Sequence, residues 1–263
     1  MSKKEFLTNK NHLPLVSIVT VVFNGKDALK KTIDSVINQT YKNIEYILID
    51  GASTDGTTDI IKQYENQIDI RISEPDKGVY DAMNKGLKLA SGEWVNFLNA
   101  GDTFFSNETI NEIFNTKTQN EFKLIYGDWI NVNNKGLKNY IKSLPYLNKR
   151  HLKRRLQMNH QSLFVKTKNI PNYDLTYKIK ADYQWIIDIV QNLHGNEILY
   201  LPKPLVKYDL EGLSATALLQ NMKEYIYLTK RNFGIMQVIK NSDIYAKYYI
   251  KYCISKIKNF VSV

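Results

Sequence analysis

With 263 residues, 43% hydrophobic and 24% charged, the chain can bury one sizeable core, and its 12 glycines and 6 prolines exclude a fibrous or disordered polymer. A formal net charge of +10 points to anionic partners without choosing among nucleic acid, phosphate-bearing ligands and acidic lipid. The single cysteine, Cys253, excludes an intrachain disulfide and a zinc-type cluster; with neither an apolar leader nor about 18 uninterrupted apolar residues, the expected location is the cytoplasm.

Val16 to Phe23 (VSIVTVVF) is a continuous β-branched run and predicts a strand, and the segment after it repeats Leu29, Ile33, Val36 and Ile37 at helical spacing. The alternation continues. IEYILID (44–50) precedes TTDIIKQYEN, IDIRIS (68–73) precedes VYDAMNKGLKLA, and EWVNFLN (93–99) precedes a helix near 106–116. Strands alternating with single helices predict right-handed crossovers and a mostly parallel, Rossmann-like sheet. After about residue 120 the pattern loosens. FKLIYGDWINVNNKGLKNYIK reads as two strands around an Asn-Lys-Gly turn, followed by HQSLFVKT (160–167), a helix from Asp182 to Leu193, and ILYLPKPLVKYDLEG.

Ligands of such sheets bind beyond the carboxyl ends of the strands, so those ends carry the chemistry. Asp50, closing strand two in IDGASTDGT, can accept hydrogen bonds from a base or ribose, and Thr57 can cap the next helix; a plain strand-turn-helix is the competing reading. Neither a Walker loop nor a Gly-x-Gly-x-x-Gly fingerprint is present. Lys77, in EPDKGVYDAMNKG, is placed to meet a phosphate near a helix start, while Tyr80, Asp81 and Asn84 serve packing and capping. Asp102, in FLNAGD, supplies one hard oxygen ligand for a divalent cation bridging a diphosphate, or else caps a helix starting near Thr103 or Ser106.

Taken in order, VSIVTVVFNG, IDGASTDGT, EPDKGVYDAMNKG, FLNAGD and IKADYQW resemble the family 2 glycosyltransferases, inverting enzymes of the GT-A fold that use nucleotide-diphosphate sugars. The likeness covers about residues 14–190, and the ordered set is more specific than any one motif. It implies a donor nucleotide held across strands one and two, with Phe23 beside the base and Asp50 near base and ribose. Asp76, Gly78, Ala82 and Asn84 occupy the places of the family's Asn-x-Gly and Ala-x-Asn. Asn99 and Asp102 stand at the ends of its Asp-x-Asp-Asp string, of which only Asp102 keeps an acid, for Mn2+ or Mg2+. The Glu-Asp catalytic pair is Ala181-Asp182, which leaves Asp182 as the base. His160 is a candidate second metal or acceptor-pocket residue against a structural histidine, Asp128 and Trp129 are candidates for the sugar or acceptor pocket, and Lys77 or an arginine of 150–155 is expected to assist the diphosphate. No Gln-x-x-Arg-Trp string is present, so a single-transfer, hexosyl-type enzyme of bacterial surface-polysaccharide assembly is expected rather than a polymerase.

The implied partners are the nucleotide-sugar donor and a glycan or lipid-linked glycan acceptor. An anionic membrane surface is a further candidate partner, placing the protein peripherally at the inner face of the cell membrane. Lys142, Lys149, Arg150, Lys153, Arg154 and Arg155 form one basic cluster without an acid. At the C-terminus, Lys240, Lys247, Lys251 and Lys258 fall on one side of a helix, and Ile250, Ile254, Ile257 and Val261 on another; such a helix either lies on lipid or packs on its own domain. Nucleic acid is not an expected partner, since no recognition motif accompanies KRHLKRR. The domain reading is a catalytic unit over 1–240, with a nucleotide-sugar half near 14–120 and an acceptor half near 121–240, and a basic amphipathic helix over 241–263. The alternative to an enzyme is a catalytically impaired nucleotide-sugar-binding module of the same fold, motivated by the reduced acidic string.

Overall fold

The computed structural model describes residues 13–115, 121–133, 135–136, 138–154, 158–210 and 217–261, with side chains to residue 254. The polar stretch to residue 12, Asn134 of the expected turn, Arg155, the end of the KYDLEG string, and the faces assigned to Ile257, Lys258 and Val261 lie outside those limits.

The first half alternates as its sequence predicts: β1 (Val16–Val22), α1 (Lys26–Ile37), β2 (Ile44–Asp50), α2 (Thr57–Gln63), β3 (Ile70–Ser73), α3 (Val79–Leu89) and β4 (Trp94–Phe97). β1 is buried on both faces, which is why its sequence is an unbroken apolar run rather than an alternation. Val19 and Val21 face one core with Ile47, Ile49 and Met83, and Ile18 and Val22 face the other with Leu29, Ile33 and Leu48. Period-two geometry thus splits one strand between two helical layers.

The sheet runs β3-β2-β1-β4 in parallel and continues into the second half. There the chain forms β5 (Thr103–Phe104), α4 (Thr109–Phe114), β6 (Leu124–Val132), β7 (Lys138–Ile141), β8 (Leu163–Lys166), α5 (Ala181–Gln191) and β9 (Ile198–Asp209). β8 pairs antiparallel to both β4 and β6, β9 lies parallel to β6, and β5 closes the order against β9. Three helices end the chain: α6 (Leu218–Phe233), α7 (Ile235–Lys240) and α8 (Ser242–Val261).

Two local expectations change. Thr103 and Phe104 pair with Lys207 and Val206 as a strand, so the helix begins only at Thr109 and Asp102 caps nothing. Thr57 is the first residue of α2 rather than its cap; its Oγ1 accepts the Gly25 N–H at 2.9 Å instead, tying the loop after β1 to the loop after β2.

The helix α3 approaches β1 closely because Gly86 faces it. A Cβ at Gly86 would stand 2.4 Å from Val19 Cγ1, on a buried β-branched side chain with little freedom to move. Gly86→Ala is therefore expected to destabilise the fold, the cost of overpacking, about 1–3 kcal/mol, exceeding a helix-propensity gain of roughly 1 kcal/mol. A lower urea midpoint at unchanged slope is the expected result, and a raised midpoint would refute the tight contact.

Candidate active site

The four parallel strands end on the same edge, and the crevice lies where the order turns from β1 toward β2 on one side and β4 on the other. A cavity of about 520 Å³ opens there. Its walls include Phe23, Asp76, Asn99 and Asp102 from the first half and His160, Gln161, Lys178, Asp182, Tyr208 and Asp209 from the second. Six of the eight sequence-nominated residues, Phe23, Asp76, Asn99, Asp102, His160 and Asp182, are thus brought together.

The strand-end loops are locked before any ligand arrives. Ser53 Oγ accepts the Asn24 N–H at 2.7 Å and Asn24 Oδ1 accepts the Thr54 N–H at 2.9 Å. Asn24 and Ala52 hold positive φ angles of 48° and 62°, conformations that cost side-chain-bearing residues of order 1 kcal/mol and collect at functional sites. Phe23 is 65% exposed on the cavity wall, a planar apolar face suited to a stacked ring. At Gly51 a Cβ would lie 2.5 Å from Asp76 Oδ2 and 3.3 Å from the Phe23 ring, so only glycine lets the two sit side by side.

Asp50 and Lys77 do not line the cavity. The Asp50 carboxylate is wholly buried and accepts hydrogen bonds from the Ser53 amide, the Ser53 hydroxyl and the Ser73 hydroxyl, which hold the β2 loop. Lys77 is exposed ahead of α3, its backbone N–H donating to Asp81 Oδ2 at 3.0 Å. Nor do Arg150 and Arg154 line it: Arg154 pairs with Asp243 at 2.8 Å, while Arg155 lies outside the described residues. The cation on the wall is Lys178, which the sequence reading did not nominate. Asp128 and Trp129 are also elsewhere. A register shift between β6 and β9 at Gly127–Trp129 turns the Trp129 ring into the core, and Asp128 accepts from Tyr140, Tyr200 and the Ser143 amide.

Asp102 follows Gly101, whose φ of +101° makes the tight turn that aims it inward. It is 3% exposed, with Gln161 Nε2 donating to Oδ2 and the Asp209 N–H donating to Oδ1, each at 2.8 Å. Burial, reinforced by the Asp209 charge, pushes its carboxyl up to about 8 despite those donors. The fit to a divalent cation rests on three further atoms: Asn99 Oδ1, Gln161 Oε1 and His160 Nε2 are buried without a hydrogen-bond partner in the protein. Oxygen and imidazole acceptors beside a carboxylate are the donor types such an ion uses. Among the described residues no three His, Cys, Asp or Glu side chains form a ready-made cage, so a cation here would draw further ligands from substrate and water.

Asp182 sits in the first turn of α5. Its Oδ1 accepts the Tyr183 N–H at 2.9 Å and the Tyr80 hydroxyl at 3.2 Å, and Oδ2 faces His160 Nδ1 at 3.5 Å. Burial pushes the carboxyl up, but His160, Lys180 and the Tyr183 amide outweigh it and hold Asp182 below the ordinary carboxylate range. The helix is itself held from outside. Glu224 of α6, 6% exposed, accepts the N–H groups of Lys178, Ile179 and Lys180 at 2.9 Å each, fixing the segment that delivers Lys178 and Asp182. Nothing local in MKEYIY announces that role.

Residues 17–175, more than half the chain, match the profile of Glycosyl transferase family 2. A PGL/p-HBAD biosynthesis glycosyltransferase of Mycobacterium bovis (strain BCG / Pasteur 1173P2) is 32% identical over 193 residues, covering 68% of this chain and 71% of that one. WfaP of Escherichia coli, a UDP-Glc:alpha-D-GlcNAc-diphosphoundecaprenol beta-1,3-glucosyltransferase, is 29% identical over 179 residues, with 68% and 71% covered. Staphylococcus aureus TarS 1-349 has a similar structure, with TM-score 0.64 and 18% identity over 82% of this chain; the match spans only 64% of that chain. The mannosyltransferase PcManGT of Pyrobaculum calidifontis, solved with GDP-Man and Mn2+, gives TM-score 0.58 and 14% identity over 90% of this chain and 74% of that one. These two likenesses concern the fold, the GT-A arrangement of α/β type. The chain belongs to glycosyl transferase family 2.

Proposed function

We propose that this protein transfers a sugar, with inversion, from a nucleotide-diphosphate sugar to a glycan acceptor carried on a lipid, in bacterial surface-polysaccharide assembly. The observation that carries the reading is the single cavity in which Phe23, Asp76 and Asp102 face Asp182 and His160. Support for the substrates comes from WfaP, whose name gives a UDP-sugar donor and a diphosphoundecaprenol acceptor, and from TarS, solved with UDP-GlcNAc.

Phe23 stacks on the base, and the β1 and β2 loops hold the nucleoside. Asp182, kept ionised, takes the acceptor hydroxyl's proton onto Oδ2 as the hydroxyl oxygen bonds to the anomeric carbon. The bond from that carbon to the diphosphate oxygen breaks on the opposite face, and the nucleoside diphosphate leaves with the electron pair. Tyr80 and the Tyr183 amide fix Oδ1 and so aim Oδ2. Lys178 meets the charge that develops on the diphosphate. A divalent cation held by Asp102, with Asn99, Gln161 and His160 at hand, would neutralise the same charge. The competing reading, a binding module without transfer, is favoured by one observation: both Asp102 oxygens already accept hydrogen bonds.

Titration calorimetry with UDP, GDP and dTDP, each with Mn2+ and with a chelator, tests the donor side. One nucleotide is expected to bind, losing affinity on chelation and in Asp102→Asn; indifference to both would remove the cation from the reading. For the base, Asp182→Asn should leave nucleotide affinity intact while transfer falls by roughly 10²- to 10⁴-fold. Normal transfer by the folded variant would exclude Asp182. Glu224→Ala leaves three backbone donors without their acceptor and should cost about 2–3 kcal/mol of stability. As a positioning residue, Glu224 should also lower kcat while leaving the Kd for the nucleotide unchanged; loss of stability with wild-type kcat would reduce its role to holding the fold.

A further inference from the structure

Two basic stretches far apart in sequence fold onto one surface. The Asn241 side chain donates to the Lys153 carbonyl at 2.8 Å, Arg154 pairs with Asp243 at 2.8 Å, and the Tyr225 hydroxyl donates to the Arg154 carbonyl. The segment 149–154 is thereby fastened to α6, α7 and α8. Arg150, Lys153, Arg154, Lys240, Lys247 and Lys251 are all exposed there. From Ile235 to the C-terminus the sequence has five lysines against one acid, Asp243, and that acid is paired with Arg154.

The same helices turn apolar side chains outward. Val238, Ile244, Tyr245 and Tyr248 pack on the core, so α7 and α8 have their inner faces satisfied. Yet Ile235, Met236 and Ile239 of α7 are 56%, 63% and 60% exposed, and Ile250 and Ile254, one turn apart on α8, are 56% and 47% exposed. Helical geometry puts Ile250 and Ile254 opposite Tyr245 and Tyr248, with Lys247 and Lys251 one turn apart on the flank. The core needs none of these outward residues, and exposed apolar side chains grouped in this way mark an interaction surface.

We propose that this surface docks the protein on an anionic lipid bilayer. Ile235, Met236, Ile239, Ile250 and Ile254 enter the boundary between headgroups and acyl chains, and the lysines and arginines around them meet the lipid phosphates. The charge selects the occupant, because a second copy of this chain would bring the same positive surface against it. No helix among the described residues is long and apolar enough to cross a membrane, and the docking proposed is a surface contact. The sequence left residues 241–263 between lying on lipid and packing on the domain; the proposed surface extends beyond them to α7 and the 149–154 segment. Glu224, which holds the Asp182 segment, and Tyr225, which holds the basic segment, are neighbours on α6, so docking surface and catalytic helix share one support.

The inference stands on the surface and is independent of the transfer chemistry, so a failed nucleotide titration leaves it intact. The test is co-sedimentation of the full chain with vesicles of phosphatidylglycerol and phosphatidylcholine, and with phosphatidylcholine alone, at low and high salt. The expected result is binding to the anionic vesicles only, weakened by salt. The triple variant Ile235→Ser, Met236→Ser, Ile239→Ser keeps the net charge and should bind roughly tenfold more weakly, and Lys153→Gln with Lys247→Gln should weaken binding by a similar factor. Undiminished binding of the serine variant would mean attraction by net charge alone and would overturn the proposal. So would equal binding to neutral vesicles, no binding at all, or a wild-type dimer in sedimentation velocity that the serine variant converts to monomer.

Discussion

A carboxylate taken out of water must be hydrogen-bonded or neutral, and Asp102 shapes the molecule because its bonds come from both halves of the chain. Gln161, from the turn before β8, binds one oxygen, and the Asp209 amide, from the end of β9, binds the other. Its backbone carbonyl accepts the Thr32 hydroxyl of α1 at 2.7 Å, and the same Thr32 oxygen accepts the Gly101 N–H at 2.9 Å. One turn therefore joins α1, the end of β4, the 160–162 turn and β9. Phe23 and Asp76 share a cavity with His160 and Asp182 because this junction sets the second half over the first.

The two central carboxyls then diverge in character for reasons of environment alone. Asp102 has amide donors only, and burial next to Asp209 raises it to about 8. Asp182 is only partly shielded from water, and an imidazole, a lysine and a backbone amide outweigh that burial and hold it low. Chemically identical groups pushed in opposite directions are a usual sign of divided labour, and the proposed reading divides it as base for Asp182 and cation ligand for Asp102.

The parallel half of the fold is legible because its signals are local. Strands buried on both faces are continuous apolar runs, helices between them repeat at 3.6 residues, and the acids and glycines gather where the strands stop. What escapes is set by distance along the chain. Asp209 acts on a residue 107 positions away, and Glu224 on amides 44 to 46 positions away, while KYD and MKEY look like any strand end or helix. The helix expected to start near Thr103 gives way to a strand because Val206 and Lys207 arrive there, which no window around Asp102 can reveal. Trp129 fails as a pocket residue for a similar reason: the bulge at Gly127–Trp129 depends on β9, and it decides which side the ring takes.

The shortened acidic string takes on a different meaning once β9 is in place. An acid missing at Asn99 or Gly101 is not missing from the cavity, since Asp209 stands against Gly101 and beside Asp102. Asp76, Asp182 and Asp209 bring carboxylates to these walls beside Asp102, whose carboxyl burial raises to about 8, and among the described lining residues the cationic side chain is Lys178. Lys31, ion-paired to Asp209 at 2.7 Å, offsets one of them. A diphosphate entering such a space meets like charge at short range, where the repulsion is poorly screened. In the proposed reading, positive charge entering with the diphosphate would relieve that repulsion. The chain's excess of ten positive charges does not relieve this, since much of it is gathered on the 142–154 segment and the C-terminal helices. The separation fits the two proposed roles, with acids at the nucleotide-sugar cavity and bases on the surface offered to lipid phosphates.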